Sequence, residues 1–123
     1  MSKETAGTLR CILLVEDSPI IAMDIEEALS DQGVERIIYA SSCEEAFTLL
    51  DEEPEVDGAL IDFYMRSDSC APVIEKLVKR EIPFGIVTGF GDPLNVVGQW
   101  PDVPVLHKPF IREDLIRLLD QLR

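Results

Sequence analysis

Asp62 closes an apolar run, Gly58-Ala59-Leu60-Ile61, and a second apolar run far upstream, Leu13-Leu14-Val15, ends in Glu16-Asp17. Runs of this kind read as strands of a parallel sheet covered on both faces, and such sheets place their chemistry at the carboxyl ends of the strands. Three carboxylates at neighbouring strand ends repel one another unless a cation holds them, so the spacing points to a hard-metal site beside a reactive aspartate. Thr88 follows a further apolar run, and Lys108 follows Val105-Leu106-His107. A carboxylate can attack phosphorus to form an acyl phosphate, and Mg2+ held by neighbouring carboxylates neutralises charge on the transferring group. In that chemistry Asp62 is the nucleophile, while the Lys108 ammonium and the Thr88 hydroxyl grip phosphoryl oxygens as point charge and hydrogen-bond donor.

The elements that must bring these residues together alternate between strand and helix. Cys11 to Val15 is the first strand, and Pro19 opens a helix whose apolar positions Ile21, Ile25, Ala28 and Leu29 recur at helical spacing until Gly33 stops it. Glu35 to Ala40 is a second strand. Ser42 with Glu45 three residues on is a capping-box signature, and Ala46, Leu49 and Leu50 supply the buried stripe of a helix that Pro54 ends. Ala59 to Asp62 leads into a polar loop, Arg66-Ser67-Asp68-Ser69, and then a helix carrying Val73, Ile74, Leu77 and Val78. Phe84 to Val87 is a fourth strand. The segment 89–104 holds glycines and prolines around Leu94, Val96, Val97 and Trp100, and specifies a short helix weakly. Val105 and Leu106 make a brief fifth strand, and Ile111, Leu115, Leu118, Leu119 and Leu122 mark a last helix. The sum is (βα)5, an α/β doubly wound parallel sheet of five strands with helices on both sides.

The chain of 123 residues suffices for one domain with its own core, residues 10–123, preceded by a flexible tail at 1–9. Its 24 acidic against 11 basic residues, a formal charge of -13, disfavour nucleic acid and anionic membrane as partners. No stretch approaches the roughly 18 apolar residues of a membrane span. Cys11, Cys43 and Cys70 form no C-x-x-C pair and read as reduced thiols of a cytoplasmic protein. The acidic stretch Asp51-Glu52-Glu53 with Glu55 and Asp57 reads as a solvated loop.

The segments LLVEDSP at 13 to 19, DGALIDFYM at 57 to 65, IVTGFG at 86 to 91 and HKPF at 107 to 110 resemble the receiver domain of bacterial two-component response regulators. The resemblance implies the flavodoxin-like strand order 2-1-3-4-5, with Asp62 as phosphoacceptor, Glu16 and Asp17 as the acidic pair, Thr88 as the switch hydroxyl and Lys108 as the lysine before a cis proline. It further implies Mg2+ bound by Asp17, Asp62 and the main-chain carbonyl of Tyr64, with Glu16 acting through water. The stretch PFGIVTGFGD at 83 to 92 is similar to the FAT GUY-like subgroup associated with HWE/HisKA2 kinases, and Arg66 and Val105 depart from the common receiver in a way that agrees.

By that resemblance the chain is a single-domain regulator, monomeric, phosphorylated by a sensor histidine kinase or a histidine phosphotransfer protein, that switches a downstream protein partner or relays phosphate in a phosphorelay. It is no enzyme beyond self-catalysed, Mg2+-dependent phosphoryl acceptance and slow autodephosphorylation, which Tyr64 and Phe90 near the phosphoryl group should slow further. Other expectations are the receiver of a hybrid kinase and a docking module independent of phosphorylation. A haloacid-dehalogenase-like phosphatase would need a second aspartate where Tyr64 stands. His107, in a short strand rather than on a helix face, is not expected to carry phosphate.

Overall fold

A computed structural model describes residues 9–62, 70–88 and 102–122. The strands are β1 (Cys11–Val15), β2 (Arg36–Ala40), β3 (Gly58–Asp62), β4 (Phe84–Thr88) and β5 (Val105–His107). They form one parallel sheet in the order β2-β1-β3-β4-β5. Four helices lie among the described residues: α1 (Pro19–Asp31), α2 (Cys43–Glu52), α3 (Ala71–Lys79) and α4 (Arg112–Leu122). The loop 66–69 and most of the segment 89–104, with Tyr64, Arg66, Phe90 and Trp100, fall outside the described residues, as does the tail up to residue 8.

Two apolar layers follow from the period of two along the strands. Leu13 and Val15 of β1 and Ala59 and Ile61 of β3 face Ala46 and Leu50 of α2 and Val73, Ile74 and Leu77 of α3. The intervening Ile12, Leu14 and Leu60 face Ala22, Ile25 and Leu29 of α1 and Leu115, Leu118 and Leu119 of α4. Both faces of β1, β3 and β4 are fully buried, which explains why these strands read as unbroken apolar runs. Leu9, which the sequence assigns to the tail, is buried in the second layer and touches the position a side chain would take at Gly58.

The helix starts obey local chemistry. Ser18 caps α1 by accepting from the Ile21 amide at 3.3 Å, and Gly33 takes the positive φ of 92° that ends the helix turn. Ser42 accepts from the Glu45 amide at 3.1 Å. The Glu45 carboxylate returns to the Ser41 amide and hydroxyl at 2.9 and 3.2 Å, one residue earlier than a simple capping box places it.

Several expectations are corrected. Ile111, placed with the apolar face of the last helix, precedes α4 and is exposed, whereas Val78 lies in α3 as expected, off its buried face. Asp57 is no solvated loop residue: its carboxylate accepts from the Arg10 and Cys11 amides at 3.1 to 3.2 Å and pins the start of β1 to that of β3. The acids around it are likewise engaged, Glu53 and Glu55 with Arg36 and Asp51 with Lys76. Cys43 and Cys70 are not separate thiols but a disulfide, with Cα atoms 5.2 Å apart, while Cys11 is free and buried. The pair is 27 residues apart and meets because α2 and α3 both begin on the same face of the sheet.

Gly85 of β4 lies close against Leu118 of α4. A Cβ there would lie 2.7 Å from Cδ2 of Leu118, a buried side chain with little room to turn away. Gly85→Ala should therefore destabilise the fold by about 1–3 kcal/mol, read as a lower urea midpoint with an unchanged slope. An unaltered midpoint would show that Leu118 repacks freely.

Candidate functional site

The strand order puts the carboxyl ends of β1 and β3 side by side, and with them the acids that follow β1 and end β3. Carboxylate oxygens of Glu16, Asp17 and Asp62 lie within 4.8 Å of one another. Glu16 and Asp62 are only 1% and 3% exposed, whereas Asp17 faces solvent. Lys108, just after β5, reaches across the end of β4: its ammonium is 2.9 Å from Oδ2 of Asp62 and 3.6 Å from Oε1 of Glu16. Thr88, the last residue of β4, is buried beside it, and its carbonyl accepts from the Lys108 amide at 2.8 Å. The Lys108-Pro109 peptide is cis.

The five side chains singled out at strand ends, Glu16, Asp17, Asp62, Thr88 and Lys108, thus come together at one end of the sheet. Tyr64, whose carbonyl the resemblance adds as a metal ligand, lies outside the described residues. His107 is exposed on β5.

Burial first, and then the negative charge of Asp62, push the Glu16 carboxyl up to about 7, against the pull of the Ser18 amide and Lys108. Burial also opposes the charge on Lys108. The hydrogen bond and charge of Asp62, with Glu16 behind it, outweigh that cost and hold the ammonium above the usual lysine range. Oε2 of Glu16 accepts from the Ser18 amide at 3.1 Å, but Oε1 is buried and has no hydrogen-bond partner among the described residues. A buried acceptor left in this way, beside two further carboxylates, suits a hard divalent cation that takes oxygen ligands.

One contributor escaped sequence reasoning. The hydroxyl of Tyr39, on β2, donates to the Glu16 main-chain carbonyl at 2.6 Å, and the Glu16 amide donates to the Ala40 carbonyl at 3.0 Å. Together these bonds fix the backbone that presents Glu16 and Asp17. Burial and the surrounding acids raise the Tyr39 hydroxyl above its ordinary value, so it remains a donor. Tyr39 is the penultimate residue of β2, so the strand-end rule brings it near the site without marking its bond.

No family model matches the chain. Among curated proteins, the transcriptional regulatory protein PdtaR of Mycobacterium tuberculosis is 30% identical over 118 residues, covering 94% of this chain and 57% of PdtaR. The chain therefore spans little more than half the length of the curated relatives it matches. Among solved structures, SdrG from Sphingomonas melonis Fr1 is 33% identical with a TM-score of 0.80, covering 93% of this chain and 96% of that one. A response regulator receiver protein from Sinorhizobium medicae WSM419 is 26% identical with a TM-score of 0.79, covering 93% and 94%.

The charge arrangement makes a signed prediction. Glu16 is raised from 4.5 to about 7, so in metal-free protein its ionisation opposes folding. The group contributes nothing unfavourable below about pH 4.5, and stability is lost as pH rises through about 7, by on the order of 3 kcal/mol. With a chelator present, Glu16→Gln should be more stable than wild type at pH 8 and show little gain at pH 5 in urea denaturation. An equal difference at both pH values would contradict the assignment.

Proposed function

We propose that this chain, which belongs to the response regulator receiver family, accepts a phosphoryl group on Asp62 and acts as a single-domain regulator or phosphorelay member. The observation that carries this is the Asp62 carboxylate, almost wholly buried, held at 2.9 Å by Lys108 inside the acid cluster. A buried carboxylate without a catalytic role is seldom placed among two more acids and a single ammonium.

In this proposal the donor is a phosphohistidine on a sensor histidine kinase or a phosphotransfer protein. A carboxylate oxygen of Asp62 forms a bond to phosphorus as the bond to the imidazole nitrogen breaks, and an acyl phosphate results. Lys108, already paired with Asp62, stays with the phosphoryl oxygens as charge develops on them, and the Thr88 hydroxyl donates to one of them. Glu16, Asp17, Asp62 and the Tyr64 carbonyl would hold Mg2+, which supplies charge neutralisation at the transferring group when bound.

Asp17 is exposed and forms the open side of the cluster. Ile20 and Met23, in the first turns of α1 close by, are 80% and 67% exposed and offer apolar contact to a donor protein. The sequence PFGIVTGFGD supports a kinase of the HWE/HisKA2 type as that donor. Similarity over 96% of the solved SdrG chain supports a regulator that acts through this domain, and a stand-alone role with protein binding as output is part of the proposal. The added charge at Asp62 would then be sensed at Thr88 and by the chain that follows it.

Incubation with acetyl phosphate and Mg2+, followed by intact mass, tests this. Wild type should gain one phosphoryl group, and Asp62→Ala none. Lys108→Ala should lose most of the rate, on the order of 10²-fold, the scale of removing one charge-stabilising donor. Absence of an adduct with every small-molecule and protein donor would favour the phosphorylation-independent docking module.

A further inference from the structure

The disulfide between Cys43 and Cys70 takes no part in the chemistry proposed above. Cys43 is the first residue of α2, and Cys70 immediately precedes α3. Their Cα separation of 5.2 Å falls within the roughly 4.4–6.8 Å spanned by disulfides. Both sulfurs lie in the apolar layer where α2 and α3 begin, so in the reduced protein each thiol has the other as a neighbour placed to react with it.

The position of the pair matters as much as its chemistry. Cys70 lies eight residues beyond Asp62 in the sequence, and its carbonyl accepts from the Ile74 amide at 3.0 Å, within the first turn of α3. Cys43 lies three residues beyond Ala40, whose carbonyl holds the Glu16 amide. A bond between the sulfurs therefore ties the chain that follows the Asp62 strand to the backbone that steadies Glu16.

We propose that Cys43 and Cys70 form a reversible thiol–disulfide site, oxidised by hydroperoxides and reduced by dithiols, whose state sets how firmly the backbone on both sides of the acid cluster is held. In oxidation one thiolate attacks the outer hydroperoxide oxygen, an S–O bond forms, the O–O bond breaks, and the alkoxide leaves as alcohol after taking a proton. The second thiol displaces hydroxide from that sulfenic acid, forming the S–S bond and releasing water. Two thiols and one hydroperoxide give one disulfide, one alcohol and one water, with two electrons passing from sulfur to oxygen. An external dithiol reverses the change through a mixed disulfide, is itself oxidised, and returns both protons to the chain. The exposures of 4% and 0% make both steps wait on local opening where α2 and α3 begin.

This site goes beyond the phosphoacceptor role and does not depend on it. The full chain is treated with hydrogen peroxide or with dithiothreitol, alkylated under denaturing conditions and weighed, and amide hydrogen exchange is measured on both forms. The peroxide-treated protein should be two hydrogens lighter before alkylation and take up one alkyl group, on Cys11, against three for the reduced form. Dithiothreitol should restore all three. Exchange at the Ile74 and Glu16 amides should be several-fold slower in the disulfide form, and Cys70→Ser should show no peroxide response at either amide. Oxygen adducts without loss of two hydrogens, or a disulfide-linked dimer, would overturn the site. Equal exchange in the two wild-type forms would overturn its influence on the cluster.

Discussion

The ion pair between Lys108 and Asp62 carries the rest of the site. Two carboxylates, on Glu16 and Asp62, are withdrawn from water at the ends of neighbouring strands, and Asp17 stands at their open side. In a medium less polarisable than water, such a group is costly unless opposite charge lies close. Among the described residues, the ammonium of Lys108 supplies that charge, 2.9 Å from Asp62 and 3.6 Å from Glu16. Three full negative charges against one positive would leave an excess of two. Retention of the Glu16 proton relieves part of it in the metal-free protein, and a divalent cation matches the whole. Burial is the first cause of the raised Glu16 carboxyl and the charge of Asp62 the second, and that second cause also suits the site to a divalent cation.

Geometry follows from the order of the strands. With β1 and β3 paired, both acid groups share one rim, and with β4 between β3 and β5, Lys108 must reach across the end of β4. Its amide meets the Thr88 carbonyl on the way, so Lys108 and the strand that ends in Thr88 share a hydrogen bond. Tyr39 and Ala40 of β2 hold the Glu16 backbone from the other side. The apolar strands thus do more than make a core: packed on both faces, they leave their carboxyl ends little freedom to drift.

Much of this was legible in the sequence because apolar runs buried on both faces advertise themselves, and their terminal polar residues mark the site. That rule alone singles out Glu16, Asp17, Asp62, Thr88 and Lys108, which the structure gathers at one end of the sheet. Interactions made through backbone or between distant elements were not legible. Tyr39 acts through a main-chain carbonyl, and Asp57 through amides at the start of β1, so neither leaves a sequence motif. The Cys43–Cys70 pair depends on two helices starting side by side, which spacing along the chain does not encode. Ile111 departs from its expected face because an apolar residue one position before a helix satisfies the same periodicity as a buried one.

Charge balance at the acid cluster is measured most directly by calorimetric titration of the protein with Mg2+ at several pH values, in buffers of different ionisation enthalpy. The account predicts one ion per chain, with affinity that strengthens as pH rises through about 7 and proton release that disappears above it, as Glu16 loses its proton. Binding that is absent, or is unchanged both by pH and by Asp17→Asn, would contradict it.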